Sequence, residues 1–156
     1  MDEKKLLKYA VDYLSKYDSS KKNLSNVLKR KIFKVSVSLE ERKIKQNLIK
    51  NIISKLEKNN FINDNRYSLS KINYLSRLGK SKNYIFNYLF KKGINKLQIQ
   101  SSFEKFEVDD KNWEIDSAKL FAKKKKLFKE GESYEKKLSK MARAGFSYEI
   151  CKKILG

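Results

Sequence analysis

Between Tyr13 and Phe33 the chain reads YLSKYDSSKKNLSNVLKRKIF, and between Tyr74 and Ile94 it reads YLSRLGKSKNYIFNYLFKKGI. At this offset of 61 residues Leu14 matches Leu75, Ser20 matches Ser81, Lys21 matches Lys82 and Leu24 matches Ile85. Leu28 then matches Leu89, Lys31 matches Lys92 and Phe33 matches Ile94. A weaker third copy follows at 52 residues, where Ser133 answers Ser81, Leu138 answers Phe86, Met141 answers Leu89, Gly145 answers Gly93 and Phe146 answers Ile94. The next helix echoes at 51, with Ile150 and Ile154 in the places of Ile99 and Phe103. A repeat of about fifty residues is too small to bury its own apolar face well, so neighbours must complete one another's core.

The period within each copy is helical. Leu6, Leu7, Ala10, Tyr13, Leu14 and Tyr17 make one stripe; Leu24, Val27 and Leu28 make a second, with Ser20 as cap and Phe33 just beyond. Ser38 with Glu41 has the spacing of a capping box for a long third helix facing inward through Ile49, Ile52, Ile53 and Leu56. Further helices are predicted from Asp64 to Leu78, Ser81 to Gly93, Asn95 to Phe106, Trp113 to Phe128 and Ser133 to Ala144, with a last short one capped by Ser147. The chain has no proline, and Gly79, Gly93, Gly131 and Gly145 each follow a helical stretch, where a left-handed residue closes a helix. The expected fold is all-α: an elongated, curved array of three tandem three-helix repeats. The repeats are placed at 1–62 (with an extended link at 34–43), 63–108 and 109–156. Stacked repeats of this sort present a continuous binding surface rather than an enzyme pocket.

Composition sets limits on chemistry. The 156 residues carry 38 Lys and Arg against 18 Asp and Glu, a formal charge of +20. With 40% hydrophobic and 12% aromatic residues the chain has the apolar matter to fold. Self-repulsion at that charge opposes compaction, which points to a polyanionic partner; a Lys-, Asn- and Ile-rich coding bias is the competing source of the excess. Histidine is absent and Cys151 is the single cysteine, so an intramolecular disulfide, a Cys/His zinc site and an imidazole base are all excluded. No catalytic residue, metal or cofactor is expected. The opening MDEKKLLKYAVDYL lacks the apolar core of a signal peptide, and no apolar run of membrane-spanning length follows. A cytoplasmic monomer, away from membranes, is the expectation.

The segment KLEKNNFINDNRY, from Lys55 to Tyr67, is the most distinctive. Asn59 and Asn60 tolerate left-handed backbone and can end a helix without glycine. Phe61 and Ile62 offer apolar contact, Asp64 is a good N-cap, and Arg66 stands in a first turn where the helix dipole disfavours a cation. A carboxylate, Asp64 or one from a neighbouring repeat, is the simplest offset. Phe61, Ile62, Asp64, Arg66 and Tyr67 are therefore read as a joint between repeats.

FINDNRY, together with YLFKKGI in the middle repeat and the terminal RAGFSYEICKKIL, resembles the RecX family, regulators of the bacterial recombinase RecA. The resemblance covers essentially the whole chain. It implies a non-enzymatic regulator that binds RecA–DNA filaments, lodges in their groove and restrains ATP hydrolysis, strand exchange and filament growth in DNA repair and recombination. The first repeat departs from the pattern: Ile32 stands where the others have glycine, and KVSVSLEERK (Lys34 to Lys43) lengthens the link.

Basic residues fall at corresponding places. Lys21 and Lys22, Lys80 and Lys82, and Lys136 and Lys137 flank the start of each second helix, where the dipole opposes them and a phosphate or carboxylate partner would offset that. Lys91 and Lys92, like Lys29, Arg30 and Lys31, sit at a helix end with Arg143 as the third-repeat counterpart, and the dipole favours cations there without any partner. These residues are the candidate contacts to the RecA filament and to single- or double-stranded DNA. Lys123 to Lys126 read as a solvated face, with the Lys124 stem lying along the stripe of Phe121 and Phe128. Tyr84, Tyr88 and Tyr134 could stack on bases, although Tyr88 pairs with Val27 at a core position. A free-standing basic nucleic-acid binder that needs no RecA is the alternative reading, with an RNA-associated protein a third.

Overall fold

The computed structural model describes residues 2–33 and 38–156, and every regular element among them is an α-helix. In chain order these are α1 (Glu3–Lys16), α2 (Lys21–Ile32), α3 (Leu39–Lys58), α4 (Asp64–Arg77), α5 (Lys82–Lys91), α6 (Lys96–Asp109), α7 (Trp113–Lys124), α8 (Tyr134–Arg143) and α9 (Tyr148–Leu155). Of the link expected at 34–43, residues 34–37 lie outside the described residues, and Leu39 onward is already helical.

Local chemistry sets most of the boundaries. Ser20, Ser38, Asn95, Ser133 and Ser147 each accept an N–H from three residues ahead, as N-caps do. Ser81 does the same for α5, accepting from Tyr84 N–H at 3.0 Å. At the other ends, Gly79 and Gly145 close α4 and α8 in the left-handed region, at φ +85 and +97. Paired carbonyl bonds accompany each turn, such as Gly145 to Ala142 and Phe146 to Met141.

Two of the expected endings fall elsewhere. Helix α7 stops at Lys124 rather than Phe128, because Lys126 takes a left-handed φ of +58 and Leu127 N–H bonds back to Ala122. Leu127 is thereby buried and Phe128 is left 57% exposed. Gly131 consequently closes no helix. Asn60 plays for α3 the part that Lys126 plays for α7, at φ +60. Helix α6 runs three residues past Phe106, to Asp109. Helix α2 passes straight through Ile32 and ends on Phe33 at φ −102, the different ending that the missing glycine implied.

The chain forms two compact units, Met1–Tyr67 with Lys92–Ile94, and Ser68–Lys91 with Asn95–Gly156. In the first, α1, α2 and α3 pack on one another around Leu6, Ala10, Leu24, Leu28, Ile49, Ile52, Leu56 and Ile62. Each fully buried Leu or Ile contributes about 1.5–3 kcal/mol. In the second, α7, α8 and α9 enclose Ala118, Ala122, Leu127, Met141, Phe146 and Cys151. Helix α5 packs on α6 through buried Ile85, Leu89, Ile99 and Phe103. Trp113 stacks on Phe103 at 5.9 Å between ring centroids and meets Phe106 edge-on at 5.8 Å. Leu28, Leu89 and Met141, matched across the three sequence copies, are all fully buried.

Candidate interaction surface

The site begins at the N-terminus of α2. Ser20 Oγ accepts Asn23 N–H at 3.2 Å and donates its own proton to the Lys92 carbonyl at 2.6 Å. Lys21 N–H, one of the orphan donors of the first turn, donates to Asp64 Oδ1 at 2.9 Å. Gly93 lies against the Lys22 side chain so closely that a Cβ there would fall 2.2–2.8 Å from its stem.

The same construction recurs at α5. Ser81 Oγ accepts Tyr84 N–H and donates to the Ala144 carbonyl at 2.7 Å; Lys82 N–H donates to Glu114 Oε2 at 2.8 Å. Gly145 stands over Ser81 as Gly93 stands over Lys22, with a built Cβ only 2.5 Å from Ser81 Oγ. Asp64 and Glu114 thus each cap a helix remote in sequence, and sequence reasoning missed both roles. A signal existed: Asp64 and Glu114 are 50 residues apart, each in the first turn of the helix that opens a repeat.

This corrects the reading of the joint. Asn63, not Asp64, caps α4, accepting Arg66 N–H at 3.0 Å. Among the described residues no carboxylate pairs with Arg66: its guanidinium donates to the carbonyls of Asn60 and Phe61 at 3.2 and 3.4 Å, in the turn that follows α3. Ile62, Asp64 and Tyr67 are buried, whereas Phe61 is 52% exposed.

An internal carboxylate also faces the lysines at the helix starts. Lys21 Nζ pairs with Glu57 at 2.8 Å, and this hydrogen bond, against the opposing effect of burial, holds its pKa above the usual lysine range. Lys82 Nζ pairs with Glu107 at 2.6 Å and sits 5.1 Å from the Phe103 ring centroid. Burial pushes the Glu114 carboxyl upward, with the Lys82 N–H it accepts pulling the other way. Both ion pairs are solvent-exposed, so neither holds its lysine tightly.

Lys80 Nζ lies 4.7 Å from the Tyr84 ring centroid, and its carbonyl accepts Ser117 Oγ at 2.6 Å. Lys22, Lys91, Lys136 and Arg143 are exposed; Lys92 and Lys137 are half-buried. Lys21, Lys22 and Lys92 belong to the first unit and the others to the second. Lys124 Nζ reaches the end of α4, donating to the Leu78 carbonyl at 3.1 Å. Tyr88 is half-buried rather than core. Cys151 is buried with Sγ 3.7 Å from the Phe146 carbonyl, and burial raises its thiol pKa, the opposite of an activated thiolate.

No group of acidic residues and cysteine among the described residues could hold a metal ion, and no described helix is long and apolar enough to cross a membrane. What the arrangement offers is ammonium and guanidinium groups on a helical scaffold, suited to binding anions.

No protein-family model matches the chain. The regulatory protein RecX of Myxococcus xanthus is 29% identical over 94% of this chain and 81% of its own length. The regulatory protein RecX of Finegoldia magna is 32% identical over 78% of this chain and 62% of its own length. Among solved structures, a regulatory protein RecX superposes with a TM-score of 0.74 at 20% identity, over 97% of this chain and 70% of that one. RecX from Lactobacillus salivarius gives 0.73 at 23% identity, over 98% and 94%. Those two likenesses establish the fold, and in sequence the chain is related to the regulatory proteins RecX over most of its length.

Proposed function

We propose that this protein binds filaments of the RecA recombinase on DNA and inhibits their ATP hydrolysis, strand exchange and growth. The observation that carries the reading is the kinship to a regulatory protein RecX along 94% of the chain. The charge of +20 supports it, since a body so basic gains by neutralising phosphates or acidic protein surface. The exposed pairs Lys21–Glu57 and Lys82–Glu107 support it too, because trading one exposed carboxylate for another anion costs at most about 1 kcal/mol. The working units of this reading are the repeats at 1–62, 63–108 and 109–156, the middle one carrying the main contact through Lys80, Lys82, Lys91 and Lys92. Regulation proceeds by steric obstruction and by biasing filament growth, without bond chemistry, and the protein acts as a cytoplasmic monomer.

The test is RecA ATPase on single-stranded DNA with increasing amounts of this protein. Inhibition far below the amount needed to coat the DNA is expected. Inhibition only at saturation would replace this reading with that of a free-standing nucleic-acid binder, which the same net charge favours.

A further inference from the structure

Grooves recur at equivalent places in the first two repeats, and their linings have diverged. The α2–α3 groove, about 320 Å³, is lined by Lys21, Lys22, Ser25, Ile49, Lys50, Ile53, Ser54 and Glu57. The α5–α6 groove, about 540 Å³, is lined by Lys82, Phe86, Gln100, Phe103, Glu104 and Glu107. Offsets of 61 and 50 residues align Lys21 with Lys82, Ser25 with Phe86, Lys50 with Gln100, Ile53 with Phe103, Ser54 with Glu104 and Glu57 with Glu107. The first lining carries three lysines and one glutamate; the second carries one lysine and two glutamates. In a chain of charge +20 the α5–α6 groove is thus a local inversion to net negative.

Its interior already seats a cation. The Lys82 ammonium lies over the face of Phe103, 5.1 Å from the centroid, while bonded to Glu107 at 2.6 Å. Aromatic face and carboxylate together are the two features that hold a positive group out of bulk water. Glu104 adds a second carboxylate with no hydrogen bond or ion pair among the described residues, and Phe86 widens the apolar lining where the first groove has serine. A planar guanidinium fits this better than the resident ammonium. It is more weakly hydrated, stacks on a ring and can engage both glutamates, whereas Lys82 reaches one.

We propose that the α5–α6 groove receives an arginine side chain from a protein partner, the guanidinium taking the place of the Lys82 ammonium on Phe103 between Glu104 and Glu107. This rests on the reading that the chain works against a protein partner, and it names the chemistry of one contact on that partner. An acidic peptide or a DNA phosphate is the wrong sign for this groove, although either suits the lysines elsewhere.

Trp113, the single tryptophan, stacks on Phe103 and so reports on the groove. The probe is a short capped peptide with one arginine between two leucines, titrated into the intact protein while Trp113 emission and backbone amide shifts of Gln100 to Glu107 are followed. A saturable change with the arginine peptide, absent with its citrulline counterpart, is expected. Glu104→Gln with Glu107→Gln should weaken binding about tenfold or more. Lys82→Met should tighten it about two- to fivefold by removing the internal competitor, a direction that a merely structural role would not give. Equal response to the citrulline peptide, weaker binding by Lys82→Met, or shifts produced instead by a glutamate peptide or by oligo(dT) would each overturn the proposal. The titration contains neither RecA nor DNA, so its failure leaves the filament reading standing, and failure of the ATPase test leaves the groove's preference measurable.

Discussion

Asp64 Oδ1 accepts the backbone N–H of Lys21 at 2.9 Å across 43 residues of chain, so the first turn of α2 is completed by a carboxylate belonging to α4. Glu114 does the same for Lys82 across 32 residues. Two of the helix starts whose lysines suggested an external anion, those of α2 and α5, therefore carry an internal carboxylate. The backbone donors of Lys21 and Lys82 are thereby satisfied, while their side chains stand in exposed ion pairs with Glu57 and Glu107.

Asp64→Ala should destabilise the protein by about 1.5–3 kcal/mol, the range for a buried charge-assisted bond whose donor is then left unpaired. Asp64→Asn keeps an acceptor oxygen and should lose about half as much. Urea melts of the two variants side by side provide the check, and equal losses would mean the carboxylate charge is indispensable.

Glu114 should give stability a pH dependence of defined sign. Burial raises its pKa in the folded state above the ordinary value of 4.5, so the folded protein binds the proton more readily than the unfolded chain. Its contribution is fully present below that ordinary value and is lost as pH rises through the raised, folded one. Glu114→Gln retains an oxygen for Lys82 N–H and should flatten the melting-temperature profile across that window.

Left-handed positions make a paired prediction. Lys126→Gly should stabilise by about 0.5–1 kcal/mol, because φ +58 strains a residue bearing a Cβ. Gly145→Ala should destabilise by about 2 kcal/mol or more, combining the strain of φ +97 with a contact 2.5 Å from Ser81 Oγ. Thermal melts should move in opposite directions.

Alanine at Lys80, Lys82, Lys91 and Lys92 together should reduce inhibition of RecA ATPase at least tenfold and lower the salt dependence of binding by up to about four counterions. All four lie outside the buried core, so circular dichroism should be unchanged. Undiminished inhibition would move the contact surface away from the middle repeat.

Much of the fold was readable in the chain because its determinants are local. Ser20, Ser81 and Ser133 cap within three residues, Gly79 and Gly145 turn within two, and Leu28, Leu89 and Met141 follow the helical period inward. The ending of α7 was not readable, because Lys126 has no intrinsic taste for a left-handed turn. Burial of Leu127 accompanies that turn.

By itself the sequence determined the helical class, the repeat and the placement of basic residues, all consequences of spacing along one strand of chain. Only the tertiary structure decided that Asp64 and Glu114 complete distant helices, that Arg66 bonds the carbonyls of the turn after α3, and that Lys82 lies on Phe103 beside Glu107. The reason is that a polar side chain takes the strongest unsatisfied partner within reach, and reach is settled by packing rather than by position in the chain.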